Sequence, residues 1–217
     1  MYKKILLSLF CSILFISLLE AQISKNSLLL GGSVGFNSNN SEGYNNIKSS
    51  QKNFYINPAA GIAVRTNLIL GGELSYSYSK SSTAYATVEK TNTYGAGIFL
   101  RKYLPVSGKF YFFGQAHAGA NLLKIKNEGL PNYFMVTQKG WGINFGVVPG
   151  ISFAINKRLH LESGFNNIFF ANYQQLKRED ITIGGITKSK TNSFSIGSNI
   201  SNFSSSLFFG FRVLLAK

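Results

Sequence analysis

Between Trp141 and Ile155 every second residue is apolar or proline: Trp141, Ile143, Phe145, Val147, Pro149, Ile151, Phe153 and Ile155. The positions between them, Gly142, Asn144, Gly146, Val148, Gly150, Ser152 and Ala154, are small and uncharged. Side chains alternate across a strand with period two, so this stretch predicts one two-faced strand. An ordinary strand has roughly 5–6 residues, whereas a bilayer-crossing strand needs about 9–11. A second face without Lys or Glu does not suit bulk water. The pattern predicts a strand of a membrane-spanning barrel, apolar side to lipid and small polar side to the interior.

Seven more segments repeat it. Leu28, Leu30, Val34 and Phe36 share one face of the first; Phe54, Ile56, Pro58, Ala60, Ile62 and Val64 share one face of the second. Leu68 to Tyr78 and Tyr94 to Leu100 follow, setting Glu73 and Arg101 on the opposite side. In the next, Phe110 and Phe112 face out while Tyr111, Gln115, His117 and Asn121 face in. Leu159, Leu161 and Phe165 oppose His160, Glu162 and Asn166; Leu207 to Leu215 closes the set with Arg212 inward. An even number closes a barrel, so an all-β, eight-stranded antiparallel up-and-down transmembrane β-barrel is expected.

The connections alternate in length. Arg65–Asn67, Pro105–Gly108 and Asn156–Arg158 read as tight turns; 37–52, 80–90, 124–138 and 171–202 read as long Ser/Asn/Lys-rich loops. Short turns on the periplasmic side and long outer loops are the pattern of outer-membrane barrels. The last loop has room for a hairpin around Gly184-Gly185, which would raise the count to ten. Pro58 and Pro149 cannot donate to a ladder, so bulges or kinks are expected at both.

Composition adds compartment and partner. Lys3 and Lys4, an apolar run from Ile5 to Leu19, and Ala21 read as a secretory signal peptide over residues 1–21, leaving a barrel domain of 22–217. That run is shorter than the about 20 residues of a membrane helix. Cys11 leaves with it, so no disulfide or thiol chemistry is expected in the exported chain. The whole chain carries +14, and loss of Lys3, Lys4 and Glu20 leaves +13. For an exported protein such a charge points to lipopolysaccharide phosphate or an anionic surface rather than nucleic acid.

Three strand-turn-strand units carry a resemblance. They are Asn57-Pro58-Ala59-Ala60-Gly61 leading to Leu68–Glu73, Tyr94–Pro105 leading to Lys109–Gly114, and Pro149–Phe153 leading to Lys157–Glu162. In this order they resemble the porin-like outer membrane β-barrel domain family of Bacteroidetes-type bacteria. Gly210, Val213 and Leu215 resemble the terminal signal read by the barrel assembly machinery, although Phe208 and the final Ala216-Lys217 depart from it. The resemblance implies an integral outer-membrane barrel and no assigned activity, and fold alone does not supply one.

Parity sets Glu73, Arg101, Gln115, His117, His160, Glu162 and Arg212 inside. Charges in so narrow a barrel need partners, so these residues are expected to form a structural polar plug. Lys48, Lys52, Lys80, Lys90, Lys124, Lys126, Lys139, Lys177, Arg178, Lys188 and Lys190 are expected on the basic outer loops. Tyr44, Tyr55, Tyr76, Tyr78, Tyr85, Tyr94 and Tyr133 read as an aromatic girdle. Neither histidine has the His-x-Ser arrangement of lipid A deacylases, since Gly119 and Glu162 stand there. Two histidines and no exported cysteine make no metal cluster. A monomeric, non-enzymatic barrel without cofactor is expected, structural in the envelope or interacting at the surface. Alternatives are a narrow channel for small solutes or ions and, behind it, a lipid A-modifying enzyme.

Overall fold

The computed structural model describes residues 22–42, 48–82, 88–128, 136–182, 185–198 and 207–215. The expected signal peptide, Tyr44, Tyr85, Tyr133 and the terminal Ala216-Lys217 lie outside them. Among the described residues ten strand segments are present: β1 (Leu28–Glu42), β2 (Lys48–Arg65), β3 (Leu68–Ser82), β4 (Val88–Ser107), β5 (Phe110–Glu128), β6 (Val136–Ala154), β7 (Leu159–Phe165), β8 (Phe169–Thr182), β9 (Gly185–Ser198) and β10 (Leu207–Leu215).

Consecutive antiparallel pairing runs from β1 to β6, β6 pairs with both β7 and β8, β7 pairs with β10, and β10 returns to β1. The ten segments therefore make eight staves. The seventh is β7 followed by β8, interrupted at Asn166–Ile168; the eighth is β9 followed by β10. The expected hairpin exists, with Thr182 opposite Gly185, but it lengthens these two staves and adds none to the barrel. Closure onto β1 runs from Leu28↔Leu215 to Ser33↔Gly210. Among the described residues no pairing joins β1 to β9.

The outward parity is apolar and bare. Phe36, Leu74, Ile98, Leu122 and Phe209 lie between 60% and 71% exposed. A continuous apolar surface of this kind is far larger than a water-soluble monomer leaves uncovered, so it is the lipid-facing belt of a transmembrane barrel. The inward parity packs at the end with the short turns, where Leu29, Ile69, Phe99, Tyr103, Phe113 and Phe208 are buried together. Residues just before β1 fold under this end: Ile23 N–H donates to Asn67 Oδ1 at 2.8 Å, and Asn67 N–H to Ile23 O at 3.0 Å.

Two expectations need correction. The long outer loops are largely strand: β1 runs to Glu42, β2 starts at Lys48, and the β3–β4 and β4–β5 ladders extend to Ser82↔Val88 and Val88↔Glu128. Ser, Asn, Thr and Lys satisfy both faces of a hairpin standing in water, so polarity did not mark the end of the strand. All eleven residues assigned to basic loops, Lys48, Lys52, Lys80, Lys90, Lys124, Lys126, Lys139, Lys177, Arg178, Lys188 and Lys190, stand on strands, not in loops. The second correction concerns Pro58. The β2–β3 rungs omit Asn57 and Pro58 but resume in the same register, so the ladder skips the missing donor without a bulge. Pro149 does sit at an irregularity. There β6 passes from β8 (Val147↔Phe169) to β7 (Gly150↔Gly164), and the register changes by two. A residue without an N–H costs least where the partner strand is itself interrupted.

Candidate functional site: a sealed base beneath a polar vestibule

Alternation in β4 sends Arg101 and Tyr103 inward two residues apart, and β7 sends Glu162 to meet them. Arg101 Nη1 donates to both Glu162 oxygens, at 2.9 and 2.7 Å. The Tyr103 hydroxyl donates to Glu162 Oε1 at 2.6 Å and accepts from Arg101 Nη1 at 3.1 Å. Arg101 Nε donates to Gln115 Oε1 at 2.9 Å, and Gln115 Nε2 reaches Glu73 Oε2 at 3.4 Å. Arg212 of β10 brings its Nε to 3.4 Å from Glu162 Oε2, a charge contact without hydrogen-bond alignment. Its Nη1 donates to Phe211 O.

Arg101 is 1% exposed and Glu162 3%. Removing two such ions from water costs several kcal/mol each, and that cost is offset by the pair's own short contacts and by the added bonds from Tyr103 and Gln115. The Arg101 guanidinium also lies 4.5 Å from the Phe113 ring centre, with Phe99 and Tyr103 at 5.8 Å. Two arginines against Glu162 and Glu73 leave the cluster balanced. Chemically it is a seal.

His117 continues the network upward. Its Nδ1 meets Glu73 Oε1 at 3.0 Å and its Nε2 meets Asn167 Oδ1 at 2.6 Å. Asn167 occupies the interruption of the seventh stave with φ of 50°. Gly146 lies beside this contact, and a Cβ there would strike both His117 Nε2 and Asn167 Oδ1. Six of the seven residues expected in the plug thus form one network. His160 is set apart. Its Nδ1 lies 3.1 Å from Ser152 Oγ, and its ring meets Tyr111 at a tilt of 37°, centres 5.3 Å apart. A Ser–His contact invites a nucleophile reading, but Ser152 is fully buried.

Above the seal the lumen opens into a cavity of ≈ 570 Å³. Glu73 and His117 lie in its lining, and neutral groups dominate the wall: Asn57, Asn121, Asn144, Asn172, Gln174 and Ser195. Tyr55 also lines it. Its place in the aromatic girdle is therefore corrected: Phe54 and Ile56 face lipid, so the residue between them faces in. Tyr76 and Tyr94 do stand outward, ring centres 5.1 Å apart, and Trp141 meets Tyr173 at 5.6 Å.

The basic residues stand beyond the belt. Lys90 pairs with Glu128 at 2.8 Å, Arg178 with Asp180 at 2.7 Å, Lys188 with Glu179 at 3.6 Å and Lys48 with Glu42 at 3.8 Å. The hydrogen bond between them raises Lys90 above the ordinary lysine range and lowers Glu128 below the ordinary carboxylate range. Lys52, Lys80, Lys124, Lys126, Lys177 and Lys190 are exposed. Parity found the inward charges; it missed Tyr103, whose position two after Arg101 was a readable signal. It also missed Asn167, which acts from a turn that has no parity.

Fold and interior together define a transmembrane β-barrel with one end sealed. No protein-family model matches the chain, and the comparison with curated proteins finds no match. Among solved structures it is similar to Neisserial surface protein A (NspA), at 18% identity over 86% of this chain and 96% of that one, with a TM-score of 0.40. It is similar to a major outer membrane protein from Thermus thermophilus, at 11% identity over 87% and 99%, with a TM-score of 0.47. The translocator domain of the autotransporter NalP from Neisseria meningitidis is similar at 10% identity over 88% and 87%, with a TM-score of 0.39.

Proposed function

We propose that this protein is an integral outer-membrane barrel of porin-like type, exported with loss of residues 1–21 and assembled by the barrel assembly machinery. It acts as a monomer without enzymatic activity or cofactor, through what it presents at the outer face. The short turns face the periplasm and the basic strand extensions face outward. The observation that carries the reading is the seal. Arg101, Tyr103 and Glu162 meet inside the barrel with almost no exposure, which supports a barrel without a solute path and with the outer face as its working surface.

The same observation disfavours the channel. The sealed Ser152–His160 contact likewise disfavours an acyl-transfer enzyme. Conductance in a planar bilayer is the test. The native barrel is expected to be electrically silent; steady single-channel steps, altered when Glu162 is replaced, would establish the channel instead. Unchanged lipid A in cells overproducing the protein is the matching expectation for chemistry.

A further inference from the structure

The lysines beyond the belt are not scattered. Lys52 of β2 is the cross-strand partner of Lys80 on β3, Lys80 of Lys90 on β4, and Lys90 of Lys126 on β5. Two residues away on the same face of β5, Lys124 is the partner of Lys139 on β6. Lys139 is in turn opposite Lys177 on β8, and Lys177 opposite Lys190 on β9. Lysine thus faces lysine across six successive strand interfaces, on the lipid-facing parity throughout.

Their height is set by the belt. Lys52, Lys80, Lys124 and Lys139 each stand two residues beyond the last apolar or aromatic side chain on the lipid-facing parity of their strand among the described residues: Phe54, Tyr78, Leu122 and Trp141. Lys90, Lys177 and Lys190 stand four beyond Tyr94, Tyr173 and Phe194, with Val88, Ile181 and Ile186 further out on the same parity of the strand extensions. This is the level at which hydrocarbon gives way to headgroups. A lysine rooted there lays its stem along the apolar edge and its ammonium among the headgroups.

Directly opposed like charges on a sheet repel and destabilise it. Of the eight lysines in this collar, one, Lys90, has an ion pair among the described residues, with Glu128. Balanced pairing is what the protein achieves elsewhere, in the seal and at Arg178–Asp180. The collar therefore calls for anions from outside the chain, held at one height around most of the barrel.

We propose that the collar is a binding surface for outer-leaflet lipid bearing phosphate on its headgroup. This rests on the outer-membrane reading above and gives its outer face a ligand class. Phosphates seated between neighbouring ammonium groups would turn a repulsive ladder into an alternating one. They would do so from a lipid whose acyl chains lie against the belt directly below. No residue of the interior takes part.

The test uses the full exported chain in phosphatidylcholine nanodiscs, with bound lipid counted by native mass spectrometry. The probes are bisphosphorylated lipid A and its dephosphorylated form. Lipid A is expected to be retained at least about tenfold more tightly than the dephosphorylated form, and the preference is expected to shrink in half-molar salt. The collar variant Lys124→Ser/Lys139→Ser/Lys177→Ser is expected to lose the preference. The variant Lys102→Ser/Lys109→Ser/Lys157→Ser, which removes equal charge at the turn end, is expected to keep it. A heat-dependent shift in gel mobility shows that both variants are closed barrels.

Equal retention of the two lipids, or equal loss in both variants, would overturn the proposal. Displacement of lipid A by inorganic phosphate at the same concentration would overturn it too, since lipid would then not be the ligand. Fractionation keeps the two readings separate. A protein found in the outer membrane that shows no phosphate preference removes the collar alone; one absent from that membrane removes the reading beneath it.

Discussion

The two halves of the barrel interior are built from the same alternation but use their polar groups differently. At the turn end, Arg101, Glu162, Tyr103 and Gln115 are buried against aromatic rings and bonded to one another. Toward the other end, Asn57, Asn144, Asn172 and Ser195 line a wide cavity. The buried charges at the turn end are tolerated because Arg101 and Glu162 pair and share hydrogen bonds. Amides such as Asn144 and Asn172 are tolerated in the other half because they border the cavity. Rigidity belongs to the first region and accessibility to the second. The same barrel wall therefore combines a sealed base with an outer half that is free to meet other molecules.

The largest expected effect comes from unpairing the seal. Glu162→Gln leaves Arg101 and Arg212 buried beside a neutral amide, and breaking a buried pair in this way costs about 3–5 kcal/mol. Asn144→Ala in the vestibule removes a polar group from a water-accessible wall and is expected to stay within about 0.5 kcal/mol. Unfolding in denaturant, followed by the unheated gel band, checks both. Similar losses for the two variants would mean that the halves do not differ in the way described.

A smaller effect is expected at the boundary between them. Gly146→Ala places a methyl group where His117 Nε2 and Asn167 Oδ1 meet, which forces both away from the wall. Overpacking of this kind costs about 1–3 kcal/mol. The added sign of success is local. Hydrogen exchange is expected to rise at the interruption of the seventh stave around Asn167, with the Arg101–Glu162 contact left protected. Uniform loss of protection would show that the interruption and the seal are one unit.

Much of this interior was legible in the sequence, because parity is unambiguous wherever one face is apolar. Glu73, Arg101, Gln115, His117, Glu162 and Arg212 were placed inward by their neighbours alone, and they join. The pairings themselves were not legible. That Arg101 meets Glu162, 61 positions later, depends on barrel closure and stagger, which no local pattern encodes. His160 shares a face with Glu162 yet turns to Ser152, eight residues away across the β6–β7 connection. The strand extensions were misread because Ser, Asn, Thr and Lys on both faces erase the alternation that marks a strand. The lysine collar was invisible for the same reason, since register on seven strands is needed to see it.

The smallest expected effect tests the exposed end of the comparison. Lys90 and Glu128 sit at 2.8 Å in solvent, so their hydrogen bond shifts both groups while contributing little to folding. The Glu128 carboxylate is held below the ordinary range, so the folded state binds fewer protons there than the unfolded one. Its contribution is therefore present above the ordinary glutamate range and lost as pH falls through the lowered value. Lys90 is shifted upward, so its contribution is present below the ordinary lysine range and lost as pH rises through the raised value. Between those limits, across neutral pH, the pair is intact. A carboxyl-carbon NMR titration is expected to find Glu128 below the usual range. Lys90→Gln is expected to return it most of the way, and half-molar salt part of the way. If salt leaves the Glu128 midpoint unmoved, the contact is shielded from water, and the division between a sealed base and an open outer end does not extend to the strand extensions.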